Sequence, residues 1–215
     1  MNHVTIEQFK TMLLARPLDE TVQNHIFAGN PFAFRTNPSA LTVLTNHLIK
    51  QLNVQPASIC VVGSGKMGFS LNPDNFPRPF SESSDIDVVV IDQLMFDTVW
   101  TTLLKWHYPR RTVSLYGVDR EWIGGRKKNL YWGWFIPDKI QFDGLSFPTV
   151  LKPIRDISST WFNAFQSLSQ YDEFLGRTVS GRLYRTWEHA MLYHVEGLRL
   201  LSQIVKEEKG VALSQ

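Results

Sequence analysis

The chain has 215 residues, which is enough for one well-buried core but too few for two ordinary domains. Hydrophobic residues make up 43% of it and charged residues 20%, a composition that excludes intrinsic disorder and fibrous repeats. The net charge of +2 gives no general field that would attract nucleic acid or a membrane. A single cysteine, Cys60, excludes a disulfide scaffold and a Cys-rich zinc site.

The N-terminal segment has acidic and polar residues within its apolar spacing, which is not typical of a signal peptide. No uninterrupted apolar stretch approaches the ~20 residues that cross a bilayer. We therefore expect a cytoplasmic protein without a membrane partner.

The first elements in chain order are two predicted helices. Thr5 with Gln8 three residues later resembles a capping box, which predicts a short docking helix that ends before Pro17. Asn37 followed by Pro38 predicts the start of a second helix. Its apolar face repeats at helical spacing and consists of Leu41, Leu44, Leu48 and Leu52.

Two short β-branched runs follow, at residues 58–62 and Ile86–Ile91. Their continuous apolar character predicts central strands that are buried on both sides. Gly, Pro, Asn and Ser dominate the loop between them, and the residues after Asp92 have the spacing of a helix that ends before Pro109.

The second half begins with β-like pieces at residues 112–116, 130–136 and 139–142. Helical spacing returns from Ser158 to Gly176, and a last helix is predicted from about Gly181 to Glu208. The order of helices, a mixed sheet and then helices predicts an α+β fold. We expect a single domain over residues 1–215, with a core at 38–150 and C-terminal helices at 151–210.

The segment after the first strand has the composition of a phosphate-binding turn. A Gly63-Ser64 turn at a strand end leaves backbone N–H groups free to point at phosphate, and the Ser64 hydroxyl adds a donor. Gly65 and Gly68 allow close approach of the backbone. Lys66 is either a further phosphate contact or a solvated lysine, because the order of a Walker A motif is missing.

Two carboxylates stand at the start of the second strand. Residues two apart on a strand point the same way, so Asp85 and Asp87 share a face while Ile86 enters the core. Two carboxylates on one face favour Mg²⁺ or Mn²⁺. Turn chemistry, with Asp85 only capping a loop, is the structural alternative.

Together these residues resemble the nucleotidyltransferase superfamily with a DNA polymerase β-like core. Its pattern is Gly-Ser, a turn with a further Gly, and Asp-x-Asp in a hydrophobic strand, and the resemblance covers roughly residues 59–92. It implies that Gly63 and Ser64 hold the triphosphate of ATP or another nucleoside triphosphate, and that Asp85 and Asp87 ligate Mg²⁺. The small size fits stand-alone bacterial members.

The activity implied by this resemblance is magnesium-dependent transfer of a nucleoside monophosphate to a hydroxyl, with release of pyrophosphate. The acceptor would be a protein, an RNA or a small molecule. The family also uses a third carboxylate on a neighbouring strand, for which Asp143 is the best candidate, with Asp119 and Asp138 behind it.

The loop between the two motifs is longer than in compact members of the family, with twenty residues between Ser64 and Asp85. The excess, residues 72–83, contains Pro73, Pro77 and Pro79. It predicts a lid or a specificity loop.

Two other functions stay open on the sequence alone. A degenerate member would bind a nucleotide or a partner protein from the same operon, as in toxin–antitoxin or phage-defence systems, without turnover. An RNA-binding module would use the basic and aromatic residues between 110 and 128, although a solvated basic hairpin over an aromatic core is the favoured explanation. In the last predicted helix, Arg185 and His189 lie near each other, either facing a substrate or forming a polar flank.

Overall fold

The computed structural model describes residues 3–110, 128–139, 149–174 and 176–212. Within them, four strands form one mixed sheet that carries helices on both faces. The predicted combination of helices with a mixed sheet is therefore confirmed.

Helix α1, Ile6–Ala15, begins with the predicted capping box. The Gln8 N–H donates to Thr5 Oγ1 at 3.2 Å, and the Thr5 N–H donates to Gln8 Oε1 at 2.9 Å. Helix α2, Leu18–Thr21, continues directly into a π-helical segment, Val22–Phe27. Both N-terminal segments lie on the same side of the sheet.

Helix α3, Ser39–Leu52, begins one residue later than predicted, because Pro38 is its N-cap rather than a first-turn residue. It ends at Asn53, whose φ of 55° is the left-handed conformation common after helices. Its buried residues are Ala40, Leu44, Leu48 and Leu52, so three of the four predicted leucines are in the core.

The sheet consists of β1 (Ile59–Val62), β2 (Ile86–Ile91), β3 (Trp134–Phe135) and β4 (Val179–Tyr184). The strand order is β1-β2-β4-β3. Strand β2 is antiparallel to β1 and parallel to β4, and β3 is antiparallel to β4. Strand β2 is central as predicted, whereas β1 pairs with β2 alone and forms an edge within the described sheet.

Strand β4 corrects the prediction that a helix starts at about Gly181. Residues 179–184 instead pair along the whole of β2, from Ile86 opposite Val179 to Ile91 opposite Tyr184. Gly181 permits this packing, because a Cβ there would lie 2.1 Å from the Phe165 ring. Pairing with a buried strand outweighs the local helical spacing.

The region before β3 also differs from the prediction. Residues 128–131 form a helical turn, and only Trp134–Phe135 of the predicted piece at 130–136 is a strand. The predicted piece at 112–116 lies outside the described residues, as does 139–142 except for Lys139, which ends a 3-10 turn.

The remaining helices are α4 (Gly63–Met67), α5 (Gln93–His107), α6 (Lys152–Leu168) and α7 (Trp187–Ala212). Helix α5 agrees with the prediction and is capped by Asp92, which accepts from the Met95 N–H at 2.8 Å. Helix α6 begins before the predicted Ser158, with Pro153 in its first turn, and ends well before Gly176. No helix in the described ranges has the length and apolar character needed to cross a membrane.

Short 3-10 turns connect these elements at Phe32–Phe34, Pro56–Ser58, Pro73–Asn75, Tyr108–Arg110, Pro137–Lys139, Thr149–Leu151 and Asp172–Phe174.

The two faces of the sheet have different coverings. The apolar face carries Ile86, Val88 and Val90 of β2, and α3, α5 and α6 pack on it. The α7 face carries Asp87 and Val89, and its covering comes from α1, the π-helical segment and α7. Because β-strands alternate, every second residue of β1 and β4 also belongs to the α7 face.

Candidate functional site

Asp87 lies at the start of β2, on the α7 face, and Asp85 directly precedes the strand. Both residues are exposed, whereas Ile86 between them is only 1% exposed. The charge of Asp85 is close enough to act on the Asp87 carboxylate, and the shared face of the two side chains stays a prediction. Since the strand continues into a fully buried run, the pair sits where the sheet emerges from its covering.

The Gly63-Ser64 turn lies beside this pair. Strand β1 runs antiparallel to β2, and Val62 pairs with Asp87, so the end of β1 meets the start of β2. Gly63 has a φ of 64°, and a Cβ on it would lie 3.0 Å from Asp87 Oδ2. A side chain at position 63 would therefore be strained and would crowd the carboxylate.

The N-terminus of α4 receives no side-chain cap. Its first backbone N–H groups have no acceptor within the helix, as at every helix start. Ser64 is partly exposed in the same turn. The turn therefore offers backbone and hydroxyl donors next to two carboxylates.

Gly65 and Gly68 have packing roles in this segment. A Cβ at Gly65 would contact Phe80, Val61 and Ala33 at 3.7–3.8 Å. Gly68 ends α4 with a φ of 87°, and the Phe32 ring packs 2.8 Å from where its Cβ would be. Their assignment as nucleotide contacts stays a prediction.

Lys66 is 4% exposed, so the interpretation as a solvated lysine is wrong. Its ammonium donates to the carbonyl of Ala28 at 2.6 Å and to that of Gly29. Burial lowers the pKa of Lys66. In this arrangement the ammonium ties α4 to the segment after the π-helical turn, and a phosphate contact by Lys66 stays a prediction.

Asp87 is surrounded by protein although solvent reaches it. This crowding removes water from the carboxylate and raises the pKa of Asp87, and the charge of Asp85 raises it further. The Ser180 hydroxyl opposes the shift by donating to Asp87 Oδ1 at 3.1 Å, as does the positive charge of Arg182. A divalent cation at the pair would relieve the repulsion between the two carboxylates.

Ser180 and Arg182 were not identified from the sequence because β4 was predicted to be the beginning of a helix. Ser180 pairs directly with Asp87, and Arg182 pairs with Val89. The signal was present in the alternation of residues 179–184, where Val179, Gly181 and Leu183 are buried and the two polar residues are not.

The third predicted acid, Asp143, lies outside the described residues, and so does Asp119. Asp138 lies in the 3-10 turn Pro137–Lys139. Across the described ranges, no three His, Cys, Asp or Glu side chains group closely enough to hold a metal ion. Asp138 therefore does not complete a carboxylate trio with Asp85 and Asp87.

The proline-containing loop packs against the body of the protein. The Phe76 ring lies 6.5 Å from that of Phe9 and 6.1 Å from that of Phe69. The Ser70 N–H donates to the Arg78 carbonyl at 2.8 Å. This anchoring fixes one side of the loop, and its role as a lid or specificity element stays a prediction.

The turn that leads into Asp85 is held by Arg177. Its guanidinium donates to the carbonyl of Ser84 at 3.2 Å and to that of Ser81, and it lies 4.9 Å from the centre of the Phe80 ring. The residue just before the carboxylate pair thus has a fixed backbone position.

The side chains of Arg185 and His189 have different hydrogen-bond partners. Arg185 precedes α7, and its Nε donates to Asp97 Oδ1 at 2.8 Å. His189 Nδ1 lies 2.7 Å from the Thr186 hydroxyl. The two residues do not share one helix, because the helix begins at Trp187, but both lie beside Gly133: the Arg185 N–H donates to its carbonyl at 2.9 Å, and a Cβ on Gly133 would meet the His189 ring. Most of the basic and aromatic stretch at 110–128 lies outside the described residues.

Comparisons of the chain with protein-family models, with curated proteins and with solved structures gave no significant match.

The donor set at the pair fits a hard divalent cation that is shared with a substrate. Mg²⁺ is usually held by one or two carboxylates together with substrate phosphates and water. Asp85 and Asp87 would supply the carboxylates, and the Gly63-Ser64 turn would supply donors for phosphate oxygens. Within the described part of the chain no third acidic, His or Cys ligand joins the pair, and two carboxylates alone predict weak metal binding until a phosphate chain is present.

Proposed function

We propose that the chain is a nucleotidyltransferase-type protein that binds a nucleoside triphosphate with Mg²⁺ or Mn²⁺. The observation that carries the proposal is the juxtaposition of the two exposed carboxylates with the Gly63 turn, where Asp87 Oδ2 lies 3.0 Å from the position of a Cβ on Gly63. Hydrogen-bond donors for phosphate and ligands for a metal ion then lie together at one end of the sheet.

Each group has a separate task in this proposal. The backbone of the Gly63-Ser64 turn and the Ser64 hydroxyl orient the triphosphate. Asp85 and Asp87 hold the divalent cation, and Ser180 keeps the Asp87 carboxylate in place through its hydrogen bond. When bound, the cation would neutralise charge on the phosphates.

The proposed reaction joins an acceptor hydroxyl oxygen to the α-phosphorus and breaks the bond from that phosphorus to the bridging oxygen of the β-phosphate. Pyrophosphate leaves with the electron pair of the broken bond. Asp143 would accept the hydroxyl proton as a general base. The acceptor is a protein, an RNA or a small molecule in this proposal. The proposed location of the protein is the cytoplasm.

A binding-only protein is the second candidate, and one observation favours it. The residue of β4 directly opposite Asp87 is Ser180, so the neighbouring strand offers a hydroxyl rather than a carboxylate at that point. Such a protein would take up the nucleotide, or a partner protein from the same operon, without releasing pyrophosphate.

Pyrophosphate release tests the enzymatic proposal. Wild type, Asp87→Asn and Asp143→Asn would be incubated with each of the four triphosphates, Mg²⁺ and mixed protein, RNA and small-molecule acceptors. We expect release by wild type, its abolition in Asp87→Asn, and a loss of turnover with most nucleotide affinity retained in Asp143→Asn, because a base acts in the transition state.

Equal rates for wild type and Asp143→Asn would remove Asp143 from catalysis. Tight nucleotide binding without any pyrophosphate release would favour the binding-only candidate.

A further inference from the structure

Arg182 is a cation placed on the α7 face next to the carboxylate pair. It follows Ser180 by two residues on β4, a separation of about 7 Å along a strand. Ser180 in turn bonds Asp87 across the sheet. The three side chains therefore form one polar row that starts at the exposed carboxylates.

Aromatic side chains fix the guanidinium of Arg182. Its central carbon lies 4.5 Å from the centre of the Trp134 ring and 4.4 Å from that of Tyr193. Nη1 donates to the Tyr184 hydroxyl at 3.4 Å. Because both rings stack on the cation, its position is set before any ligand arrives.

Among the described residues, Arg182 forms no ion pair with a carboxylate, and it acts on Asp87 only through its longer-range charge. Along the described ranges, the four ion pairs are Lys10–Glu208, Lys152–Asp156, Arg185–Asp97 and Arg199–Glu196. The Nε of Arg182 is buried without a hydrogen-bond partner. A partly buried cation without a paired carboxylate is stabilised when an anionic acceptor binds beside it.

We propose that Arg182 is the cationic contact for the phosphate chain of a triphosphate held at Asp85 and Asp87. This inference rests on the proposed function and adds a residue from β4 to the same site. A guanidinium suits the role because its planar fork matches two phosphate oxygens at once.

This role predicts opposite effects on two ligands. Removing the positive charge takes away a phosphate contact, so affinity for a triphosphate falls. The same removal takes away a repulsion on a divalent cation at the neighbouring carboxylates, so affinity for Mn²⁺ alone rises or stays equal. A merely structural role would weaken both, because collapse of the aromatic surroundings would disturb the whole site.

The experiment measures two dissociation constants for wild type, Arg182→Gln, Arg182→Lys and Arg199→Gln. One is for a nucleoside triphosphate with saturating Mg²⁺, by calorimetry, and the other is for Mn²⁺ alone, by the electron paramagnetic resonance signal of the free ion. Arg199→Gln is the matched control, because it removes an exposed arginine that is paired with Glu196 on the same helix.

We expect Arg182→Gln to weaken triphosphate binding at least about tenfold, with Mn²⁺ binding unchanged or tighter. Arg182→Lys keeps the charge without the fork and should lie between wild type and Arg182→Gln. If Arg182→Gln does not fold, weaker triphosphate binding by a folded Arg182→Lys still supports the contact, and wild-type affinity in that variant overturns it.

Two further results would overturn the inference alone. These are wild-type triphosphate affinity in Arg182→Gln, and a parallel loss of both ligands in a folded variant. If wild type binds none of the four triphosphates, the proposed function falls together with the inference.

Discussion

The two faces of the sheet carry different kinds of side chain. The apolar face is built from Ile86, Val88, Val90 and Leu183, all at most 2% exposed, under three helices. The α7 face has an apolar part as well, but its strands also carry Asp87, Ser180, Arg182 and Tyr184.

The residues that stabilise the fold are thus concentrated on one face of the sheet, and the residues proposed to act in function lie on the other. Burial of apolar surface on the first face contributes to folding without chemical selectivity. The polar row on the α7 face has a desolvation cost, which the protein offsets with the Ser180 hydrogen bond and the aromatic rings around Arg182. Each prediction below tests one side of this separation.

The largest expected effect contrasts neighbouring residues of β2. Ile86→Ala should lower the free energy of unfolding by about 2–5 kcal/mol, because it leaves a cavity in the apolar face. The Asp85→Ala/Asp87→Ala variant should stay within about 0.5 kcal/mol of wild type, since exposed side chains that repel each other contribute little to folding. Denaturant unfolding measures both, and similar losses in the two variants would contradict the separation of roles.

His194 should make the α7 side sensitive to acid. Burial, with help from the nearby charge of Arg182, lowers the pKa of His194 from 6.5 to about 4. The unfolded chain therefore binds a proton first as pH falls. The contribution of this histidine to stability is full above pH 6.5 and is lost between pH 6.5 and about 4.

His194→Phe keeps the ring and removes the titration. Between pH 7 and 4, wild type should lose about 2–3 kcal/mol more of its unfolding free energy than the variant. Parallel stability curves for the two proteins over this range would show that His194 titrates normally.

Lys66 tests whether a buried polar group of the turn has a structural task. Lys66→Met keeps much of the side-chain volume but leaves the Ala28 and Gly29 carbonyls without their donor. We expect a loss of about 1–3 kcal/mol in chemical unfolding. The exposed Lys50→Met is the control and should change stability by less than about 0.5 kcal/mol. Equal stability of the two variants would show that Lys66 does not stabilise the turn.

A small effect on stability is expected at Ser180. Ser180→Ala should cost about 1 kcal/mol or less, because the lost hydrogen bond is at an exposed site. It should also raise the pKa of Asp87 further, so that Mg²⁺-dependent triphosphate binding shifts to higher pH. Ser180→Thr keeps the hydroxyl and should retain the wild-type pH profile, and a wild-type profile in Ser180→Ala would contradict the coupling.

The sequence was sufficient for the part of the site whose geometry is local. The buried run after Asp85 predicted strand β2 with Asp87 at its start, and a glycine turn after a β-branched run predicted Gly63 at a strand end. Antiparallel pairing of these two runs then brought them together. Helix starts with strong caps, such as Thr5 and Asp92, were also predictable.

The part of the site that the sequence did not predict depends on contacts between distant segments. Strand β4 is only six residues long and leads almost directly into α7, so its residues extend the apolar spacing of that helix. Its parallel pairing with β2 joins segments about ninety residues apart, which no local pattern reports. Because β4 was not predicted, Ser180 and Arg182 were not recognised as site residues, and neither was the hydroxyl that faces Asp87.

The central claim is that the carboxylate pair and the Gly63-Ser64 turn together bind a nucleoside triphosphate with a divalent cation. Calorimetric titration of the four triphosphates into wild type and Asp85→Ala/Asp87→Ala, each with and without Mg²⁺, tests it most directly. We expect wild type to bind a triphosphate only when Mg²⁺ is present. The double variant should not bind it, although circular dichroism should show that this variant is folded. Unchanged Mg²⁺-dependent affinity in the folded double variant, or no binding of any triphosphate by wild type, would contradict it.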